Sequence, residues 1–382
     1  MVSRSSMAPP LMALYPVHDA PKYAVVLYYK YVRLGETPAQ VEQLVRDHEQ
    51  LCARLALTGR VRIAMEGING TLGGKAESVA QYIATMQQAP HFEGIDWKTS
   101  GSDVEPFPEL QVRLVQEIVA MEIPDEQCDL AHGGTHLTPE EFHHEQQANA
   151  RERIALIDVR NNYEYNIGHF EGALNPKTRR FGQFPEWVRA ELPELQKKDK
   201  ILMYCTGGIR CEKASAYLKH LGLEKVYQLQ GGIHRYLEKY PDGGGLFQGK
   251  NFVFDQRVAM ASEDPTITGK CERCDVPYDV VSGTRCKYCR MHILLCEACR
   301  ANGEDESLLY CEEHAHLVTG DAAQLAQKAQ QLQSELDEVQ GKAKKGRRRS
   351  LRKQLDTVER RIQELQRLAI CSDDAEGPQD AE

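Results

Sequence analysis

The chain has 382 residues, 41% of them hydrophobic and 27% charged, with a formal net charge of −9. At about 150 residues per domain this length implies two or three domains, and the composition excludes wholesale disorder and collagen-like repeats. Apolar stretches such as residues 23–29 fall far short of the roughly 20 residues a membrane-spanning helix needs, which argues against a membrane protein.

The first segment, residues 1–21, carries no secretory h-region and reads as a flexible N-terminus. A cytoplasmic protein is expected, with a short organellar presequence or a nuclear signal left open. Residues 22–125 read as a ferredoxin-like α+β sandwich of the pattern βαββαβ. KYAVVLYYKYV is rich in β-branched and aromatic residues and predicts a strand. Apolar residues from Pro38 to Leu57 follow helical spacing, with Thr37 as N-cap and Pro38 at the first helical position. RVRIAMEGINGTLGG predicts two short strands around a turn at Asn69-Gly70, Ala76 to Gln88 a second helix, and Leu110 to Met121 a closing strand. Residues 130–245 alternate helix with the short apolar strands IALIDV and KILMYC, the sign of an α/β domain with a parallel sheet. Beyond it come a cysteine-rich module at 246–318, a charged helical hairpin or coiled coil at 319–370, and an acidic tail at 371–382 expected to be disordered.

The stretch KILMYCTGGIRCEKASAYL carries the most chemistry. A buried strand delivers Cys205 into the loop Thr206-Gly207-Gly208-Ile209-Arg210, which opens into a helix near Cys211. Loop N–H groups and a helix N-terminus favour a thiolate, and Arg210 supplies a cation for an anionic group or a persulfide. Cys211 reads equally as a resolving thiol or as a packed helix residue. Asp158 and Arg160 read as an ion pair that orients the loop, and His169 as a residue bonded within its own turn. The six residues from Cys205 to Arg210 suit a single sulfur rather than a phosphate.

The CTGGIR loop, with Asp158-Val159-Arg160 and the GHFEGA segment at 168–173, resembles the rhodanese domain over residues 135–242. EGINGT, YCTGGIRCEKASAYL, LFQGKNFVFDQR and the paired cysteines together resemble the tRNA uridine(34) hydroxylase (TrhO) family across residues 22–314. That resemblance implies an oxidoreductase acting on tRNA, forming 5-hydroxyuridine at the wobble position with molecular oxygen as co-substrate. It also implies that Cys205 is the catalytic cysteine, with the loop to Arg210 as its cradle. A sulfurtransferase carrying persulfide on Cys205 is the alternative, and a non-enzymatic interaction protein the third reading. No Gly-x-Gly-x-x-Gly in a βαβ context occurs, so a tightly held flavin or NAD is not indicated.

Four pairs follow: Cys271 and Cys274, Cys286 and Cys289, Cys296 and Cys299, Cys311 and His314, the second four each 25 positions after their counterparts. Eight soft ligands with two-residue spacers predict two closed structural zinc sites, in preference to disulfides or an iron–sulfur cluster. Sequential and crossed pairing are both open, and the six-residue gap between Cys289 and Cys296 favours crossing. Cys52, Cys128 and Cys371 have no assigned role. Two apolar seams, Leu325 to Val339 and Leu351 to Leu365, flank a basic run with seven cations between Lys344 and Lys353. The run reads as a solvated face, a tRNA phosphate contact or a nuclear signal. Residues 321–370 hold an excess of five positive charges, leaving −14 on the rest.

Overall fold

The computed structural model describes residues 21–147, 153–302, 309–315, 317, 321–339 and 345–373. The expected flexible N-terminus to residue 20 and the acidic end from residue 374 lie outside the described residues. Two units separate, one ending at Thr268 and one beginning at Gly269.

In the first unit, β1 (Tyr23–Tyr31) buries Ala24, Val25, Val26 and Tyr28. Helix α1 (Pro38–Arg54) starts where its cap dictates. The Thr37 hydroxyl accepts the Gln40 N–H, and the Gln40 side chain accepts the Thr37 N–H in return. Strands β2 (Thr58–Ala64) and β3 (Gly67–Gly74), helix α2 (Ala76–Gln87), β4 (Lys98–Ser102) and β5 (Leu110–Leu114) complete a sheet ordered β4-β1-β3-β2-β5. Only β2 and β5 run parallel among its pairs. Both helices pack against a core that includes Val26, Tyr28, Ile63, Ile68, Tyr82 and Trp97.

Two expectations are corrected here. The closing strand ends at Leu114 rather than Met121, and β4 adds an edge strand beside β1. The β2–β3 turn falls at Met65-Glu66, and Asn69-Gly70 lie inside β3. Gly70 is needed for close packing, not for a turn: a Cβ there would strike the Tyr28 ring, which faces it from β1. Asn69 instead donates to the Ile118 carbonyl at 3.1 Å.

The chain continues through β6 (Thr135–Leu137), α3 (Pro139–Gln147), β7 (Ile154–Asp158), α4 (Asn162–Tyr165), β8 (Gly168–Phe170), α5 (Phe184–Leu195), β9 (Lys200–Tyr204), α6 (Ile209–His220), β10 (Val226–Leu229) and α7 (Gly232–Lys239). Strands β6-β10-β9-β7 form an all-parallel sheet, as the continuous apolar runs of β7 and β9 predict. Strand β11 (Phe247–Phe252) pairs with β8 on one side and with β12 (Ala259–Ala261) on the other. That pairing draws residues 247–268 into the first unit, whereas the sequence grouped them with the cysteine-rich module. Helix α6 also grips the first sheet. Buried Lys213 reaches Glu66 at 2.9 Å and Glu117 at 2.7 Å, and Glu66 accepts the Ile118 N–H at 2.7 Å.

The second unit holds the four ligand pairs, the short helix α8 (Glu297–Ala301), and helices α9 (Ala322–Glu338) and α10 (Lys345–Asp373). Leu325, Leu332 and Val339 are buried, as are Leu351, Leu355 and Val358, where the two long helices pack side by side. Arg347, early in α10, lies 3.9 Å from Glu335 near the end of α9, as a hairpin requires. Helix α10 runs to Asp373, past the expected start of the disordered tail. No helix among the described residues is long and apolar enough to cross a membrane.

Gly70→Ala is expected to destabilise the first unit by about 1–3 kcal/mol through overpacking against Tyr28. Urea denaturation would measure the fall in midpoint, and an unchanged midpoint would show that the ring yields freely.

Candidate active site

Strand β9 ends at Tyr204, and Cys205 follows at the bottom of a short loop between β9 and α6. Helix α6 begins at Ile209, two residues before the expected position near Cys211, so Arg210 and Cys211 lie in its first turn. Helix α7 holds the loop from beneath: Ile233 N–H donates to the Cys205 carbonyl at 3.0 Å and His234 N–H to the Thr206 carbonyl at 3.1 Å. This contact requires glycine at 232, where φ is +66° and a Cβ would stand 2.5 Å from the Cys205 carbonyl oxygen.

The Cys205 sulfur has no exposed surface and accepts the Gly208 N–H at 3.1 Å. Burial is the largest influence on its ionisation and opposes it. The Cys211 thiol, the Arg210 charge and the N–H groups of Arg210 and Cys211 together outweigh burial and bring the Cys205 thiol down to about 5. Cys211 is pushed well up, first by burial and then by its hydrogen bond to Cys205. Cys211 therefore keeps its proton and donates a hydrogen bond to the Cys205 sulfur.

Arg210 is buried and pairs with Glu164, with Nη1 2.7 Å from Oε2 and Nη2 2.7 Å from Oε1. Nη2 and Glu164 Oε1 each also meet the Thr206 hydroxyl at 3.1 Å. Burial pushes the Glu164 carboxyl up, but Arg210, and Arg160 beyond it, hold it below the usual range. Arg210 thus fixes the loop and lends its field to the sulfur. Asp158 and Arg160 form a buried pair at 2.6 Å, with Arg160 also donating to the Gly168 carbonyl at 2.6 Å. That pair braces the ends of β7 and β8 beneath the Tyr204 ring, 5.7 Å from the guanidinium carbon. His169 bonds the Tyr165 carbonyl at 2.9 Å and stacks on its ring, as read from the sequence.

The first sheet roofs this loop. A Cβ on Gly207 would meet Leu27 at 3.0 Å and the Lys98 stem at 4.0 Å, and one on Gly208 would meet the Tyr29 hydroxyl at 2.8 Å. Tyr29 donates to Glu212 of α6 at 3.0 Å, and Tyr31 to the Ile209 carbonyl at 3.3 Å. Lys98 is buried with its ammonium 2.6 Å from Asp96, which Arg235 of α7 also holds. Sequence reasoning missed Glu164, Tyr29, Lys98 and Glu212. Only Glu164 had a local signal, as the third residue of a capping box that Asn161 opens.

In the second unit the ligand pairs combine crosswise, Cys271 and Cys274 with Cys296 and Cys299, Cys286 and Cys289 with Cys311 and His314. Donor atoms in each group lie within 4.8 Å of one another. Cys274 and Cys296 sulfurs are 3.7 Å apart and Cys289 and Cys311 sulfurs 3.8 Å, close to the edge of about 3.8 Å in a tetrahedron with 2.3 Å zinc–sulfur bonds. Cys286 sulfur and His314 Nδ1 are 3.9 Å apart. These separations suit a shared metal and are far too long for disulfides.

Three family models cover most of the chain: a UPF0176 acylphosphatase like domain over residues 23–118, a rhodanese-like domain over 138–239 and a rhodanase C-terminal region over 248–315. The chain is 38% identical over 320 residues to rhodanese-like domain-containing protein 6 of Arabidopsis thaliana, covering 78% of this chain but only 54% of that longer one. It is 40% identical over 261 residues to the tRNA uridine(34) hydroxylase of Bacillus licheniformis, covering 66% of this chain and 79% of that one. For the protein of that name from the aster yellows witches'-broom phytoplasma, identity is 38%, covering 76% of this chain and 88% of the relative.

Ultraviolet absorbance of the Cys205 thiolate, taken across pH as the difference between wild type and Cys205→Ser, is expected to rise with a midpoint of about 5 and to be on its plateau at pH 7. In Cys211→Ala the midpoint should move upward, because the thiolate loses a hydrogen-bond donor. A midpoint that stays put would remove Cys211 from the account of ionisation.

Proposed function

Since the chain belongs to the tRNA uridine(34) hydroxylase family, we propose that it forms 5-hydroxyuridine at the wobble uridine of tRNA, with Cys205 as the reacting group. The observation that carries this reading is a buried sulfur whose pKa is brought to about 5, within a chain that matches its bacterial relatives from the first sheet through the paired cysteines. A thiolate is the form able to add to C6 of a pyrimidine. Addition forms a carbon–sulfur bond at C6 and makes C5 nucleophilic. C5 then bonds an oxygen atom derived from molecular oxygen, the C5 proton leaves and the carbon–sulfur bond breaks, restoring the ring. The second oxygen atom leaves as water, which requires two electrons and two protons from an external reductant. Thr206, Gly207, Gly208 and Ile209 shape the loop, while Glu164 and Arg210 hold it and preorganise the positive field around the sulfur. The buried Asp158–Arg160 pair acts at one remove, by bracing the strand ends behind the loop.

The eight-ligand module takes two structural zinc ions in this reading, one per crossed group, with no ligand position left over for chemistry. The basic run in the first turns of α10, including Arg347, Arg348 and Arg349, supplies phosphate contacts to the tRNA.

Nucleoside mass spectrometry of tRNA from cells lacking the protein should show loss of 5-hydroxyuridine and its derivatives, restored by the wild-type chain but not by Cys205→Ser. Loss of thiolated nucleosides instead would favour persulfide transfer from Cys205, and an unchanged profile would defeat both. Elemental analysis of the purified chain should find two zinc ions, and about one in His314→Ala, because each crossed group closes independently. Retention of both ions in that variant would count against His314 as a ligand.

A further inference from the structure

Seven large hydrophobic residues among those described stand exposed, and Phe254 is the one aromatic residue in that set, 42% exposed. Its position is not random. The ring lies 6.0 Å from the guanidinium carbon of Arg210, whose charge acts on the Cys205 sulfur. It meets buried Phe252 edge to face at 5.2 Å, and Phe252 in turn meets Tyr163 at 5.0 Å, one residue before Glu164. An aromatic ledge therefore runs from the surface to the group that anchors the loop.

The turn that presents Phe254 is held rigid on both sides. Val253 N–H donates to the Val258 carbonyl at 2.9 Å, closing the turn between β11 and β12. Arg257 forks onto buried Asp255 at 2.7 and 2.6 Å, and reaches across to the Ser100 hydroxyl at 2.9 Å and the Gly101 carbonyl at 2.8 Å on β4. Gln256 N–H donates to the Pro106 carbonyl at 2.9 Å. A flexible loop could fold its own aromatic ring inward, whereas this one is fixed with the ring outward. Fixed exposure of an aromatic face costs hydration free energy, and the arrangement is preorganised for a flat partner.

We propose that Phe254 is a stacking platform for the target pyrimidine base, the exposed step on which uridine rests on its way to the Cys205 loop. The inference rests on the tRNA reading above and deepens it by naming where the base is held. Bases splayed out of single-stranded RNA loops are recognised by stacking on aromatic side chains, and enzymes acting on a base extrude it from its neighbours. Arg210, buried behind the ring and committed to Glu164, polarises that face without competing for it.

The test uses the full chain and an RNA hairpin carrying the anticodon loop. Phe254→Ala is expected to raise KM for hydroxylation about tenfold with kcat changed far less, as the loss of one base stack implies, while Phe254→Tyr stays within about twofold of wild type. The pH titration of the Cys205 thiolate should be the same in all three proteins, a control that a merely misfolded variant fails. In Phe254→Trp, emission should be quenched by the hairpin and not by the same hairpin with an abasic residue at position 34. A wild-type KM in Phe254→Ala, or RNA binding that leaves the indole emission unchanged, overturns the proposal. Absence of hydroxylation by the wild-type chain would defeat the assigned reaction, whereas the fluorescence arm still decides whether the ring receives a base.

Discussion

A buried guanidinium–carboxylate pair, Arg210 with Glu164, is the interaction on which the reactive loop depends. Both side chains are almost wholly removed from water, so each would be intolerable alone, and breaking such a pair costs about 3–5 kcal/mol. Together they tie the first turn of α6 to α4 and close the loop around Cys205 through the Thr206 hydroxyl. The residual positive field falls on the sulfur. Ionisation of a fully buried thiol is the outcome of that balance: burial pulls one way, and a donor thiol, a fixed cation and two N–H groups pull the other.

A second layer of constraint comes from the first sheet. Leu27, Tyr29 and Lys98 lie over Gly207 and Gly208, and Glu212 and Lys213 at the start of α6 hold Tyr29 and Glu66. The helix that carries the reactive turn is thereby the same helix that fastens the acylphosphatase-like sheet. Displacing one disturbs the other, which gives a physical reason for the two domains to occur together in one chain.

Much of this was readable in the sequence where the signal is local. The Thr37–Gln40 cap, the apolar strands IALIDV and KILMYC, the strand–loop–helix around Cys205 and the repeated ligand spacing are all written in adjacent residues. Reading failed where an interaction spans distant segments. Asn69-Gly70 carries the same letters as a hairpin turn, and only the Tyr28 ring opposite shows that the glycine makes room within a strand. The Glu164 partner of Arg210 lies 46 positions away, so their pairing leaves no local trace. Tyr29 and Lys98 reach the loop from a different domain, and no periodicity in either segment announces that. The pairing of β11 with β8 is likewise non-local, since β11 looks isolated until β8 is set beside it.

The burial of Cys205 separates two properties that usually travel together in redox-active cysteines. A thiolate formed near pH 5 in an open cup would be oxidised by peroxide through sulfenic to sulfinic acid and would exchange with cellular disulfides. Here the sulfur is charged but has no surface to offer such reagents. Selectivity against stray oxidants is thus built into the architecture as shielding, leaving the nucleophile at full strength for a partner that engages the protein well enough to reach it.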